Sequence, residues 1–378
     1  MKKFLIFIMA VLCLACTSCS QAKDYTVNDY RTTMQFYDGF KVMQLTDLHL
    51  GVQGDLQRNL DFVSKLIDEA DPDLIVVTGD SFMYANKNIV NLLFELLNTK
   101  CKELTTLHPE RLTKFAVTFG NHDNQGDYHK YYINNVILSY ATKDGKEVED
   151  SKYAAFIDYE DDNLNGYANY YIDLVDDRNK SVDEVDVKYR LHIIDSNSYH
   201  YIGPKYKYEV ILEDQLQHVE NIYKTATKDT EYVGLGFFHI PFQEFEIAKD
   251  KYKEIKSFTE NGVTYGQGEF REGVGDPYCN NGSYRSLRNS NVIAYFVGHE
   301  HINYCDVIYN HESDNIMDKG ILSYGVKSTD QLYHDDDILG YKLIILKDNT
   351  TVEDFLTIEY ITNNIKNVID RGVLYGEQ

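Results

Sequence analysis

Five apolar runs punctuate the chain, and each ends in a short polar block. The runs KVMQL, DLIVVT, KFAVTF, YVGLGFF and NVIAYFV lead into Thr46-Asp47-Leu48-His49, Gly79-Asp80, Gly120-Asn121-His122-Asp123, His239-Ile240-Pro241 and Gly298-His299-Glu300-His301. Near-continuous apolar runs of this length suit strands buried on both faces of a sheet. Leu60, Phe62, Val63, Leu66 and Ile67 recur at helical spacing over 59–69, and Lys87 to Leu97 reads as a second helix. Residues 40–119 therefore read as βαβαβ, strands joined by crossover helices. Open α/β sheets gather their ligand sites at strand C-terminal ends. The pattern predicts an α/β fold with the five polar blocks on neighbouring strand-end loops.

The rest of the chain extends this plan. Met34–Phe36, the turn Tyr37-Asp38-Gly39 and the run from Phe40 read as a hairpin entering the first core strand. Further helices are expected over 128–141 and Glu213 to Lys224. Strands are expected over Tyr170–Val175, Tyr189–Ile194, 292–297, 303–309, 320–324, 341–346 and 354–359. Residues 143–187 are rich in Asp, Glu, Asn and Tyr and read as an acidic insertion, a solvated loop or hairpin. Its run Asp158-Tyr159-Glu160-Asp161-Asp162 lacks the spacing of a calcium loop. One domain is expected over 34–360, with a polar tether at 20–33 before it and a tail at 361–378 after it.

The blocks carry metal-ligand chemistry. Asp47 and His49 are two apart at a strand end and so point to the same side, as do His299 and His301. Asp80 alone would pass for a helix N-cap. Asn121 follows Gly120, a residue that permits close backbone approach. Together the blocks supply Asp47, His49, Asp80, Asn121, His239, His299 and His301, enough for two metal ions, and leave His122 over. Mixed imidazole and carboxylate donors suit Fe, Mn or Zn as divalent or trivalent ions. A site for Ca²⁺ alone is disfavoured, because Ca²⁺ prefers oxygen donors throughout.

Composition narrows the partners. The formal net charge of −23 excludes long nucleic acid as a bulk partner, since phosphate backbones need a basic surface. At the N-terminus Lys2 and Lys3 precede the apolar stretch Phe4 to Ala15, then Cys16-Thr17-Ser18-Cys19. Residues 1–19 resemble a bacterial lipoprotein signal peptide, too short to span a bilayer. The expectation is an exported protein, lipid-anchored to a membrane at the cell envelope or surface through Cys19, with Cys16 as the alternative. Beyond the signal, Cys101, Cys279 and Cys305 allow at most one disulfide. The 32 tyrosines and the absence of tryptophan point to no particular function. Oligomeric state is not legible.

In this order, D-x-H, G-D, G-N-H-D, H and G-H-x-H resemble the calcineurin-like metallophosphoesterases, the superfamily of purple acid phosphatases, Ser/Thr protein phosphatases and many bacterial phosphodiesterases. The resemblance covers about 34–360 and is greatest to stand-alone bacterial phosphatases. It implies an α/β, metallophosphoesterase-type β-sandwich flanked by helices, with metals at the strand C-terminal ends. It also implies one metal on Asp47, His49 and His301, a second on Asn121, His239 and His299, and Asp80 bridging the two. By the same resemblance His122 is the general acid; Asp123 either orients it or has a plain surface role. The purple subgroup has a Tyr three residues after the G-D aspartate; Met83 stands there, so the iron–tyrosinate chromophore is not expected. The implied activity is phosphoester hydrolysis, with phosphomonoesters first. A phosphodiesterase or nucleotide-directed hydrolase, and a catalytically silent surface-binding lipoprotein, are the alternatives. Specificity would come from loops over 124–165, 197–210 and 243–290.

Overall fold

A computed structural model describes residues 31–362 apart from 53, 142–152, 158–163, 181–184, 227–231, 252–257, 261–262, 266, 311–318 and 349–355. The signal peptide, most of the tether, nearly all of the tail and the run Asp158–Asp162 lie outside the described residues.

The βαβαβ expectation holds. Strand β2 (Phe40–Leu45) pairs in parallel with β3 (Leu74–Thr78), which pairs in parallel with β4 (Lys114–Thr118). The crossovers are α1 (Leu56–Ala70) and α2 (Lys87–Leu107). Asp55 caps α1, its side chain accepting from Arg58 N, and Asn86 caps α2 in the same way. Helix α2 outruns its predicted end because buried Cys101 and Leu104 continue the Leu93-Leu97 stripe at steps of three and four. Antiparallel β16 (Gly340–Leu346) and β17 (Leu356–Thr362) complete a five-stranded sheet of order β17-β16-β2-β3-β4.

A second sheet has eight strands in the order β1-β5-β6-β9-β13-β15-β14-β12. These are β1 (Arg31–Gln35), β5 (Asn169–Val175), β6 (Val187–Ile194), β9 (Val233–Phe237), β12 (Gln267–Glu269), β13 (Val292–Val297), β14 (Tyr304–Asn310) and β15 (Lys319–Tyr324). Its centre, β6, β9, β13 and β15, is parallel throughout. Leu45, Val77, Phe115, Leu191, Phe237 and Phe296 fill the core between the sheets. A second core, including Phe238, Phe242, Phe245, Tyr295 and Leu322, lies with α4 (Glu213–Ala226), α5 (Gln243–Lys251) and α6 (Ser283–Asn289).

Three features differ from the expectation. The turn at Tyr37–Gly39 is present, with Phe40 N donating to Tyr37 O, but its flanking strands do not pair with each other. Strand β1 joins β5 in one sheet and β2 joins β16 and β3 in the other, so the turn carries the chain between layers. Strand β1 also begins at Arg31, inside the expected tether, where Arg31 Nε donates to buried Asp173 Oδ2 at 2.7 Å. Within the acidic stretch, Tyr153–Phe156 are buried and β5 is a core strand.

Side chains lock the two sheets together near their strand ends. Gln44 Nε2 donates to Val297 O (3.0 Å), and Thr118 Oγ1 donates to Ile194 O (2.6 Å). On the edge strand β4, Tyr170 OH receives Val117 N–H and donates to Val117 O (2.9 and 3.0 Å). Residues 153–155 pair with Phe115 on the same edge. Edge groups that would otherwise be buried without partners are thus satisfied. This locking brings the five strand-end loops onto one rim.

Candidate metal centre

Strands β2, β3, β4, β9 and β13 each deliver their polar block to this rim, where two groups of side chains form. Asp47, His49 and His301 make one; Asp80, His239 and His299 make the other, and within each group the donor atoms lie within 4.8 Å of one another. In the first, His49 Nε2 and His301 Nε2 are 2.9 Å apart, with Asp47 Oδ1 at 3.6 and 3.7 Å. In the second, His239 Nε2 is 3.1 Å from Asp80 Oδ2 and 3.3 Å from His299 Nδ1. Asp80 Oδ2 stands between the groups, since His49 Nε2 is also only 3.7 Å from it.

The local backbone is held in unusual conformations. Asp47, His49, Asp80 and His299 all have positive φ, of 54°, 45°, 49° and 81°. Such values are uncommon outside glycine and persist where the surroundings over-determine them. The surroundings here are backbone bonds between loops: Asp47 N to Gly79 O, His49 N to Asp80 O and Leu50 N to Ser81 O. Two glycines make the approach possible. A Cβ on Gly298 would lie 2.8 Å from Asp47 Oδ2 and closer still to Thr46 Oγ1. A Cβ on Gly120 would lie 2.6 Å from Asp80 N and closer to Asp80 Oδ1.

A layer of supporting bonds aims the donors inward. Asp47 Oδ2 accepts from Thr46 Oγ1 and His299 N, which leaves buried Oδ1 without a partner. Asp80 Oδ1 accepts from His122 N at 2.7 Å, leaving Oδ2 toward the histidines. The Nδ1 atoms of His239 and His301 lie 2.9 and 2.8 Å from the Thr78 and Tyr333 carbonyls, freeing each Nε2. Asn121 Nδ2 donates to Tyr199 OH at 2.9 Å, so its buried Oδ1 is left unpartnered. Unpartnered buried acceptors are rare in folded proteins and call for a cation or a donor. These residues fit a pair of metal ions.

The ionisation states agree at three of the four histidines. Burial holds His49 down to about 4, His299 and His301 down to about 3, each as the neutral imidazole that binds metals. Burial raises Asp47 and Asp80, but the neighbouring histidines outweigh it and keep both carboxyls below their usual range. His239 goes the other way, up to about 9, because the Asp80 charge outweighs burial.

All seven predicted ligands therefore sit on this rim, with Asn121 beside Asp80 through the His122 amide. His122 lies at the edge of the first group, its ring edge-on to His49 at 5.2 Å and its Nδ1 without a hydrogen-bond partner. Asp123 is not joined to it. Its Oδ1 accepts from Phe82 N (2.9 Å) and its Oδ2 from Gly120 N (2.8 Å), so Asp123 ties the Asp80 loop to the Asn121 loop. Burial and the Asp80 charge push its carboxyl up to about 7.

Sequence reasoning missed several supports. Lys327 Nζ, fully buried, donates to Asp47 O at 2.6 Å, and Thr329 Oγ1 donates to Leu48 O at 2.7 Å. Ser328 Oγ accepts from Thr46 N. Gly325 to Gln331 follow the apolar end of β15 as the other polar blocks follow their strands, so the same signal was available. Ser196 Oγ, after β6, accepts from His239 N and Ile240 N. Three tyrosines touch the predicted ligands: Tyr199 on Asn121, Tyr208 edge-on to His299 at 4.2 Å, and Tyr333 stacked on His301 at 4.1 Å. Cys101, Cys279 and Cys305 are all unpaired.

The family model for calcineurin-like phosphoesterases matches residues 40–303. The yeast Saccharomyces cerevisiae protein "Phosphatase DCR2" is 28% identical over 286 residues, 70% of this chain but only 45% of its own length. "Probable inactive purple acid phosphatase 29" of Arabidopsis thaliana is 24% identical over 289 residues, 70% of this chain and 67% of its own. Among solved structures, "GAP50 the anchor in the inner membrane complex of Plasmodium" aligns over 86% of this chain and 85% of its own, with TM-score 0.45 and 15% identity. With the family pattern matched from β2 to beyond the last histidine of the rim, this chain belongs to the calcineurin-like phosphoesterase family.

Proposed function

We propose that the protein is a metal-dependent phosphoester hydrolase that prefers phosphomonoesters. The observation that carries this reading is Asp80 Oδ2, which stands between two three-residue donor groups, 3.1 Å from His239 and 3.7 Å from His49. Asp47, His49 and His301 would hold one ion, Asn121, His239 and His299 the other, and Asp80 both. Two ions so held would stabilise charge on the phosphoryl oxygens and would supply a nucleophile at neutral pH.

The chain's own groups do the rest. The Asp47 and Asp80 carboxylates offset the repulsion between the cations. His122, fixed by its backbone bond to Asp80 but outside both donor groups, serves as general acid for the leaving oxygen. Asp123 serves as a positioning residue, because its oxygens are taken by backbone amides of the two loops. The name of the yeast relative, a phosphatase, favours monoesters. Two Arabidopsis relatives are named as probably inactive, and here both three-residue donor groups are present.

Turnover of p-nitrophenyl phosphate, bis(p-nitrophenyl) phosphate and p-nitrophenyl phenylphosphonate by Mn-, Fe- and Zn-loaded protein tests the reading. Monoester turnover that chelation abolishes is expected. Faster diester turnover favours the phosphodiesterase alternative. Two bound metals with no turnover of any ester leave the silent binding protein instead.

We also propose export and lipid anchoring through Cys19, supported by the charged, apolar and small-residue zones of residues 1–19. Cys19→Ala should abolish lipid labelling and release the protein from membranes. Labelling that persists until Cys16 is also changed moves the anchor to Cys16.

A further inference from the structure

The rim carries a feature that metal chemistry does not require. Strands β7 (Tyr199–Ile202) and β8 (Lys205–Tyr208) form a separate two-stranded hairpin beside the second donor group. Its antiparallel register sets Tyr199 opposite Tyr208 and Tyr201 opposite Tyr206. Side chains alternate along a strand, so these four tyrosines share one face, while His200 and Lys207 share the other.

The inner end of that tyrosine face touches the metal centre. Tyr199 OH accepts from Asn121, and the Tyr208 ring meets His299 edge-on. The outer end runs into solvent. Tyr199 meets Tyr206 at 4.9 Å and Tyr206 meets Tyr201 at 6.4 Å, with Tyr206 60% and Tyr201 73% exposed. Large exposed aromatic surface next to a polar site is a mark of ligand recognition.

The hairpin is a built wall. Tyr278 N donates to Tyr208 O, and the Tyr278 ring stacks on His200 at 3.9 Å and 13°. The His200 ring is held from its other side by Glu209 at 2.9 Å. A hairpin held from behind offers its tyrosine face to a planar ligand at reduced entropic cost. Exposed Lys205 and Lys207 add positive charge to this edge of a strongly acidic protein.

We propose that the tyrosine face is a stacking subsite for a planar aromatic ring carried by the substrate, so that the phosphoester hydrolysed is one bearing such a ring, as a nucleoside phosphate does. This rests on the hydrolase reading above and adds the class of the organic group. A phosphate between the donor groups would leave its ester oxygen and the attached ring to lie along Tyr206 and Tyr201.

Adenosine 5′-monophosphate and ribose 5-phosphate make the test, because they share a primary alkoxide leaving group and differ only in the base. With full-length, metal-loaded protein, the adenosine compound should have the lower KM by about 10-fold, the scale of one base on an aromatic platform. In Tyr201→Leu/Tyr206→Leu the ratio of the two kcat/KM values should fall toward one. Tyr131→Leu, an exposed tyrosine on helix α3 (Lys130–Leu138) and outside the tyrosine face, should keep the ratio. Equal KM values, or a base preference that survives the double substitution, overturn the subsite and leave the hydrolase reading standing. If neither ester is hydrolysed, equilibrium dialysis decides the subsite: tighter adenosine monophosphate binding that the double substitution removes upholds it and equal binding overturns it, while the hydrolase reading is judged on the nitrophenyl esters.

Discussion

Asp123→Asn separates a proton-relay role from a positioning role. The substitution keeps shape but turns one acceptor oxygen into an NH₂ group. Both oxygens now receive backbone N–H groups, from Phe82 at 2.9 Å and Gly120 at 2.8 Å, in a fully buried setting. Asn can serve only one of them and sets a donor against the other. A buried donor left without an acceptor costs about 1–3 kcal/mol, so about 2 kcal/mol of stability should be lost. At about 2 °C per kcal/mol for a large domain, the melting temperature should fall by roughly 4 °C. Because the two tied loops carry Asp80 and Asn121, metal affinity should fall as well, and turnover should drop by a similar factor for nitrophenyl and alkyl esters. Thermal melts of metal-depleted protein, with kcat measured across leaving groups, provide the readout. An unchanged melting temperature together with an activity loss that grows for poor leaving groups would refute the positioning argument and make Asp123 the partner of His122.

Two further outcomes follow from the geometry. His122→Asn should retain both metals while turnover falls by roughly 10²–10⁴-fold, less for nitrophenyl esters than for alkyl esters; metal loss would instead make His122 a ligand. Tyr170→Phe removes the hydroxyl that satisfies both Val117 N and Val117 O on the edge of β4. It should cost about 2–4 kcal/mol in urea unfolding with metal content unchanged, and an unshifted midpoint would show that water or backbone rearrangement satisfies those groups.

The rim that gathers the candidate donors was legible because its signal is local. An apolar run that stops at Asp47, Asp80, Asn121, His239 or His299 announces a strand end, and donors two residues apart, as in Asp47/His49 and His299/His301, announce a shared side. What was not legible depends on contacts distant in sequence. The turn at Asp38-Gly39 looks like a hairpin from its own residues, and only the pairing of β1 with β5, some 140 residues away, sends its two arms into different sheets. The role of Asp123 is set by Phe82, 41 residues off. The block at Lys327 follows an apolar strand end like the others, but the role of Lys327 is set at a distance, since its partner is the Asp47 carbonyl, 280 residues earlier. The tyrosine face was half visible. Tyr199/Tyr201 and Tyr206/Tyr208 alternate on either side of Gly203-Pro204, but nothing in that spacing says that the hairpin leans on Asn121 and His299.

The account stands or falls on two metals sharing one carboxylate. Elemental analysis of purified protein and of Asp80→Asn measures this directly. Asp80 Oδ2 lies within reach of both donor groups, and two cations brought together without its charge are costly. Wild-type protein should hold two metals per chain, and Asp80→Asn should lose most of both along with nearly all hydrolysis. One metal or none in the wild type, or two retained in Asp80→Asn with normal hydrolysis, would contradict the dinuclear centre.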